Sequence, residues 1–600
     1  MSVPERNTIQ VLKQTFHGYW GYLIALTILG ILTAAADGIS IASLIPILSF
    51  LLPAGSSGTG SIVTNVMQAV FAFAHIPFQF RFMIIFVAIL LVARATLMLL
   101  FVSLRGSANS HFLSRTISRL YQLMLEVTWP FVMREKMGHL QNVILWDTKR
   151  AGQLLDTSVQ FVQSVTGFLV YLAVAVLISP MVTVVTLIAG AALLFVLRPV
   201  IRRTRLFGEE TSRLEKNLAQ HVAEHIQGFK TVKAMGVAPT ALVVARGYLD
   251  RLQTVLSRSV IVQSLGSILI QPFSFLFAMG IFAFSYYAGT FNLAAFAATL
   301  YLIQKIFVYL DSMQSSFSSV IQFIPFAETV LTFARRAEAA REPAALGGKE
   351  FSFKQELTFE GVTLAYEGGT EALSNVSFSV AKGDFVGIIG PSGSGKTSVA
   401  DLILRLFRPT KGRIVLDETP ADEIRIDEWR KHIAYVSQDS FVMHASVADN
   451  IRFYDSNISD EDIMRAAQGA HIYDDIMRLP QGFATVLGDR GVTLSGGQRQ
   501  RIAIARALAR KPEVLVFDEV TSSLDSELER LIQKVVEELR GSITLVVIAH
   551  RISTVLGSDT LIVLADGSIR EQGSPKEMLQ NPDSYLSRMM KLQGADNSIG

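Results

Sequence analysis

Six long apolar stretches dominate the first half of the chain, roughly Tyr19–Leu52, Phe82–Leu104, Ser158–Ile178, Val182–Val200, Val260–Ala288 and Leu293–Phe323. A helix needs about 20 apolar residues to cross the hydrocarbon core of a bilayer, so each stretch predicts one membrane span. The connections set the orientation. Residues 53–80 contain no Lys or Arg, and neither do the short turns at 178–183 and 288–296. By contrast, Arg105, Arg115, Arg119, Arg134, Lys136, Lys149 and Arg150 lie between the second and third stretches. Arg202, Arg203, Arg205, Arg213, Lys216, Lys230 and Lys233 lie between the fourth and fifth. Basic residues favour the cytoplasmic side, so both long connections and both chain ends are expected there. Leu, Val and Ile recur through these connections at helical spacing, which predicts helices that carry the spans beyond the bilayer. On the other side, Val63, Val66, Met67, Val70 and Phe71 share one face of a short amphipathic helix. It is expected either to lie at the membrane surface or to pack against the ends of the spans.

Beyond the sixth stretch the pattern changes. Residues 335–348 are polar and Ala-rich and end in Pro343 and a Gly-Gly pair, the composition of a linker. Short β-type runs follow, at Phe385–Ile389, Val514–Phe517 and Thr544–Ala549, alternating with helical segments. That alternation predicts a mostly parallel sheet.

Bulk composition narrows the reading. Half of the 600 residues are hydrophobic and 18% are charged, below the roughly 25% of ordinary soluble domains. The chain carries a net +11 up to Ala340 and −8 after it. The basic residues flank apolar helices instead of forming one patch, which points to a lipid surface and against nucleic acid. The absence of cysteine excludes disulfides, thiolate catalysis and Cys-based zinc sites. The first apolar run is far longer than the ~7–15 residues of a signal h-region, so no cleavable signal is expected.

The strand Phe385–Ile389 runs directly into Gly390-Pro391-Ser392-Gly393-Ser394-Gly395-Lys396-Thr397, and then, from Ser398, into helix-forming sequence. This is the phosphate-binding pattern in the strand–loop–helix setting it requires. Glycines let the backbone wrap phosphates, while the loop N–H groups and the helix N-terminus favour their charge. Lys396 is placed to reach the β- and γ-phosphates of ATP, and Thr397 to ligate Mg²⁺. Downstream, Val514–Phe517 ends in adjacent acids, Asp518 and Glu519. An apolar strand does not end so without a reason, because unpaired buried charge is costly. Asp518 is placed to hold Mg²⁺, and Glu519 to polarise an attacking water. The expected architecture is therefore a membrane α-helical six-span domain (1–335), a linker (336–352) and an α/β P-loop ATPase domain (353–600).

Between these motifs sits Leu494-Ser495-Gly496-Gly497-Gln498, five residues that resemble the signature of ABC ATPases. The order of phosphate loop, signature and acidic strand end matches that family. The resemblance implies further roles. Tyr366 is similar to the aromatic that stacks on adenine. Gln438 is similar to the glutamine that joins the nucleotide and metal to the membrane domain. Ser523-Leu524-Asp525 resembles the D-loop, and His550 the switch histidine on the γ-phosphate. Residues 485–491 are similar to the exporter x-loop, with Asp489 where Glu is usual. Gly138 to Leu155 and Glu224 to Lys233 resemble segments beside exporter coupling helices. The family's ATP sites are composite, so Lys396, Thr397, Gln438, Asp518, Glu519 and His550 would face Ser495 and Gly497 of a second copy. All of these are intact, which favours a homodimer with ATP and Mg²⁺ at both sites. The resemblance places the chain in a cytoplasmic membrane, of a bacterium, as an exporter.

Asp37, Arg94, Lys305 and Asp311 fall within predicted spans, where charge is expensive and faces a cavity or a partner. Asp37 and Lys305 are candidates for contact with a polar headgroup, and pairing between helices, such as Asp37 with Arg94, is the alternative. The first span, with Asp37, small residues and Pro46, resembles exporters that flip lipid-linked oligosaccharides. The expected cargo is thus an amphipathic lipid or lipid-linked glycan. Export of peptides or drugs, and an ATP-gated channel, are the other readings.

Overall fold

The structure is a computed structural model and describes residues 8–43, 47, 62–287, 293–343, 348–366, 368–488, 494–519, 526–549 and 551–596. The chain divides into two compact units, residues 1–127 with 131–341, and residues 342–600 with 128–130.

In the first unit, six helices are long and apolar enough to cross a membrane, among the described residues. They are Trp20–Ala42, Phe80–Glu126, Thr148–Ile178, Pro180–Gln227, Ala238–Tyr287 and Leu293–Ala339. The first expected stretch runs on to Leu52, and its end lies largely outside the described residues. The helices outrun their apolar cores. Phe80–Glu126 has 47 residues and is about 70 Å long at 1.5 Å per residue, over twice a hydrocarbon layer. The long connections are thus helical, as their periodicity predicts. The first also holds a short helix, Trp129–Arg134, and a π-helical turn, Asn142–Asp147; the second turns through Phe229–Ala234. The sixth helix continues through Ala339 into the stretch read as linker, because Arg, Ala and Glu are strong helix formers there.

Helices in hydrocarbon gain little from apolar contact with one another, so small residues let backbones approach and hydroxyls bond locally. In the first span a Cβ on Gly38 would lie 3.3 Å from the Val170 Cγ1; in the helical extensions beyond the spans, one on Gly208 would lie 2.5 Å from the Gln322 carbonyl oxygen and one on Gly138 2.9 Å from the Gln220 Cα. Thr33, Ser40 and Thr186 donate to carbonyls one turn back, at 2.7 Å each. The amphipathic segment forms a helix, Ile62–Phe73. Its Met67 and Phe71 are buried against Met83, Phe78, Phe82 and Phe86, while Val66 and Val70 are exposed. It therefore packs against the start of the second span.

The second unit holds two sheets. Strands β1 (Glu356–Ala365), β2 (Glu371–Ala381), β4 (Lys411–Leu416) and β5 (Thr419–Pro420) form an antiparallel sheet in the order β2-β1-β4-β5. The larger sheet runs β10-β9-β3-β8-β7-β6. Its strands are β3 (Phe385–Ile389), β6 (Ile433–Val436), β7 (Val514–Asp518), β8 (Thr544–Ile548), β9 (Thr560–Ala565) and β10 (Ser568–Gly573). All neighbours are parallel except β9 and β10. Every residue of β3, β7 and β8 is buried, which explains why they are rich in Val, Ile and Leu and do not alternate apolar with polar residues.

Register decides what meets at the sheet's carboxyl edge. Ile388 of β3 pairs with Ile548 of β8, and Ile548 pairs with Asp518 of β7. The ladder continues past the strands: Glu519 N–H donates to the Ile548 carbonyl at 2.9 Å, and Ala549 N–H to the Ile388 carbonyl at 3.1 Å. The loop after β3 and the acids ending β7 thus lie along one edge, where ligands bind in open parallel sheets.

Candidate nucleotide site

The phosphate loop is shaped by two glycines that nothing larger can replace. Gly390 has φ +157°, and a Cβ there would sit 2.1 Å from the Leu564 carbonyl oxygen. Gly395 has φ +99°, and its Cβ would sit 2.5 Å from the Ala372 carbonyl oxygen. Between them Pro391, Ser392 and Gly393 are exposed, whereas Ser394 is buried with a hydroxyl that has no partner among the described residues. Helix Lys396–Ile403 starts directly after Gly395, aiming its N-terminus into the loop. Lys396 is buried and folds back, its Nζ donating to the Gly390 carbonyl at 3.1 Å and the Pro391 carbonyl at 2.9 Å. Burial lowers its pKa, opposed by Glu519 and Asp518 nearby. Thr397 is exposed, while Ser398 is buried and bonds the Tyr366 hydroxyl at 2.9 Å. The Tyr366 ring is half-buried, edge-on to Phe407 with centroids 5.1 Å apart.

Across the edge, Asp518 is buried at the end of β7 and accepts a hydrogen bond from the Tyr435 hydroxyl at 3.1 Å. Glu519 follows with φ +53°, a left-handed backbone that a non-glycine residue keeps only when its surroundings hold it. Val436 of β6 pairs with Phe517 of β7, so Gln438 stands as far beyond the sheet as Glu519 does. It is exposed there.

Ser495 caps helix Gly496–Ala509. Its hydroxyl accepts from Gln498 N–H at 3.2 Å, and the Gln498 side chain accepts from Ser495 N–H at 3.0 Å, a reciprocal capping box. Ser495 and Gly496 are exposed and Gly497 is buried. The described side-chain hydrogen bonds of Ser495 and Gln498 are to each other, and none joins them to the phosphate loop of this chain. His550, Ser523, Leu524, Asp525 and Asp489 lie outside the described residues.

The charges within the spans are partly brought together. Asp37 is buried and pairs with Arg94 at 3.0 Å and with Lys305 at 3.7 Å, and the Tyr171 hydroxyl donates to it. Asp311 stands apart and accepts from Ser267 at 2.8 Å.

A family model described as "ABC transporter" matches residues 373–522, and one described as "ABC transporter transmembrane region" matches residues 23–317. The ATP-dependent lipid A-core flippase of Chromobacterium violaceum is 32% identical over 419 residues, 68% of this chain and 70% of that protein. The chain belongs to the ABC transporter family. The same-named flippase of Cupriavidus metallidurans is 30% identical over 499 residues, 78% of this chain and 80% of that protein. A solved bacterial Atm1-family ABC exporter with ATP bound superposes with a TM-score of 0.75 at 25% identity, covering 96% of this chain and 99% of that one. This ABC transporter thus has the half-transporter exporter architecture, is an integral multi-pass membrane protein, binds ATP and couples its hydrolysis to transport.

Two groups beside Asp518 escape the transporter's motifs. Asp401 lies one helical turn after Thr397, on the same face, and Tyr435 is the residue before the pairing Val436. That helical spacing is the only sequence signal for Asp401. Burial, and then the charge of Asp518, push the Asp401 carboxyl up to about 6. A carboxyl raised in this way favours the folded state while protonated, and the advantage is lost as pH rises through about 6. Asp401→Asn is therefore expected to be more stable than the unmodified protein at about pH 8, by on the order of 1–2 kcal/mol, with the gap narrowing as pH falls below about 6 and closing only below about pH 4, where the carboxyl is protonated in the unfolded chain as well. Calorimetric melting of both proteins without ATP checks this, and parallel profiles would refute it.

Proposed function

We propose that this transporter flips or exports an amphipathic lipid or lipid-linked glycan across a bacterial cytoplasmic membrane, as a homodimer with both chain ends cytoplasmic. The observation that carries the cargo class is the identity, over most of the chain, to proteins described as lipid A-core flippases. The basic connections and uncharged outer turns support the orientation. Residues 1–335 form the membrane domain, 336–352 the linker and 353–600 the ATPase domain.

Each ATP takes the Gly390–Ser398 loop of one subunit, with Lys396 leaving its two carbonyls for the phosphates and Tyr366 beside the base. The second subunit supplies the capped helix end at Ser495, Gly496, Gly497 and Gln498. Thr397, Gln438 and Asp518 offer a hydroxyl, an amide and a carboxylate, the hard oxygen donors that suit Mg²⁺. When bound, the ion would neutralise charge on the phosphate oxygens. Glu519 orients and deprotonates the attacking water, with Gln438 and His550 completing the site. Two ATP molecules favour the closed ATPase dimer because they bind it better than the open one.

The test is ATP hydrolysis and lipid translocation by the purified protein in vesicles. Lipid-linked glycans and lipids are expected to stimulate hydrolysis and to cross leaflets only with ATP. Stimulation by soluble peptides alone, or an ATP-gated ionic current without translocation, would refute the proposal.

A further inference from the structure

The pairing of β6 with β7 puts Tyr435 opposite Val516. Residues paired across a ladder share a face of the sheet, and so do residues two apart on one strand. The side chains of Tyr435 and Asp518 therefore lie on the same face. It is the face covered by helix Lys396–Ile403, since Ile433 and Val516 share a core there with Val399 and Ile403. Asp518 stands two residues nearer the carboxyl edge, about 6–7 Å at the rise of a strand. Reaching it from position 435 takes a long side chain with a donor at its tip. Tyrosine has both, and its hydroxyl donates to Asp518 Oδ2 at 3.1 Å.

Tyr435 is 39% exposed, yet its hydroxyl is spent on the buried Asp518. That reverses the usual arrangement, in which the apolar body is covered and the polar tip takes the solvent. Burial, and then the charge of Asp518, hold the phenol above its ordinary range, so it remains an O–H donor as pH rises. Two further carboxyls act at the same spot. Asp401, on the helix covering this face, and Glu519 both act on the Tyr435 hydroxyl in the same sense as Asp518. Like charges set close together drive their side chains apart unless a partner holds them. Of these three carboxyls, Asp518 is the one that the Tyr435 hydroxyl holds.

We propose that Tyr435 is a positioning residue for the divalent ion that accompanies ATP: its hydroxyl fixes the Asp518 carboxylate in the orientation that receives the ion, against the repulsion of Asp401 and Glu519. An outer partner that holds a metal-binding carboxylate sets its geometry and governs metal affinity without touching the metal. Tyr435 thus acts on the ion through Asp518, and on the nucleotide only through the ion. The inference rests on the assignment of Asp518 to Mg²⁺ above.

The experiment uses the full chain in phosphatidylcholine nanodiscs, loaded with a non-hydrolysable ATP analogue. Mn²⁺ is the probe ion, and its paramagnetic resonance is the readout. Tyr435→Phe keeps the ring and removes the donor. It is expected to weaken Mn²⁺ binding about tenfold, while binding of the analogue in the presence of a chelator stays within about twofold. Tyr435→Leu, a second variant without the donor, is expected to give the same loss. Hydrolysis by Tyr435→Phe should need correspondingly more Mg²⁺ and return to near the unmodified rate once Mg²⁺ saturates. Asp518→Ala is expected to weaken Mn²⁺ binding further, and Tyr435→Phe to add little in that background. Additive losses would show that Tyr435 does not act through Asp518. Mn²⁺ affinity lowered by Asp518→Ala but unchanged by Tyr435→Phe would overturn the positioning role and leave the metal assignment standing. Mn²⁺ affinity unchanged by Asp518→Ala would refute that assignment, and the inference with it. In both Tyr435 variants, a loss of metal-free nucleotide binding as large as the loss of Mn²⁺ binding would make Tyr435 a structural residue and overturn the proposal.

Discussion

Glu519→Gln is expected to bind ATP as the unmodified protein does and to hydrolyse it about 10²- to 10⁴-fold more slowly, the usual contribution of a positioned general base. Glutamine keeps the size of the side chain and should keep the backbone, since the left-handed turn at Glu519 is fixed by its N–H bond to Ile548 and by the pairing of β7 with β8. What is lost is an oxygen able to take a proton from water. Phosphate release and nucleotide retention, measured on the same preparation, check both halves. Near-normal release would remove Glu519 from the role of base. Failure to bind ATP would mean that the loop, and not the base, had been damaged.

Trp429→Ala is expected to cost the ATPase unit about 3–5 kcal/mol, the range for emptying a large aromatic site. Trp429 is fully buried in helix Ile426–His432, edge-on to Phe351 with centroids 5.6 Å apart and under the Arg405 guanidinium at 5.4 Å. Its indole N–H donates to the Ile403 carbonyl at 2.7 Å. Ile403 is the last residue of the helix that begins at Lys396, so the bond satisfies a carbonyl with no partner within its own helix. Truncation removes the packing and leaves that carbonyl buried and unmet. The ATPase melting transition is expected to fall by roughly 10 °C. Trp429→Phe should recover part of the loss, because it restores area but not the donor. A shift under about 1 °C for the alanine variant would show that the site collapses without cost.

The parts of this protein that were legible in its sequence are those that obey a local rule. Spans announce themselves because hydrocarbon demands about 20 apolar residues in a row. The phosphate loop announces itself because Gly390 and Gly395 have no room for a side chain, whatever else the chain does. Contacts across the fold left no such trace. Tyr171 meets Asp37 from 134 positions away, and Asp401, on the helix after the phosphate loop, feels the charge of Asp518 at the end of β7. Pairing of Asp37 with Arg94 could be named as an alternative, but the addition of Lys305 to the same carboxylate could not. The π-helical turn at Asn142–Asp147 was likewise invisible, since nothing in its residue spacing differs from an ordinary helix. The helix Ile62–Phe73 shows a third case, in which periodicity located the element and only packing decided which of its apolar residues are covered.

The strand order β9-β3-β8 has a consequence for how the protein is made. The strand that carries the phosphate loop is flanked on both sides by strands synthesised much later, β8 at Thr544–Ile548 and β9 at Thr560–Ala565. Chains fold as they emerge, earlier units first. All six spans can therefore enter the membrane while β3 still lacks both neighbours and the ATP site has no rigid edge to stand on. A nascent or prematurely ended chain cannot burn ATP, because the strands that complete the engine are among the last to leave the ribosome.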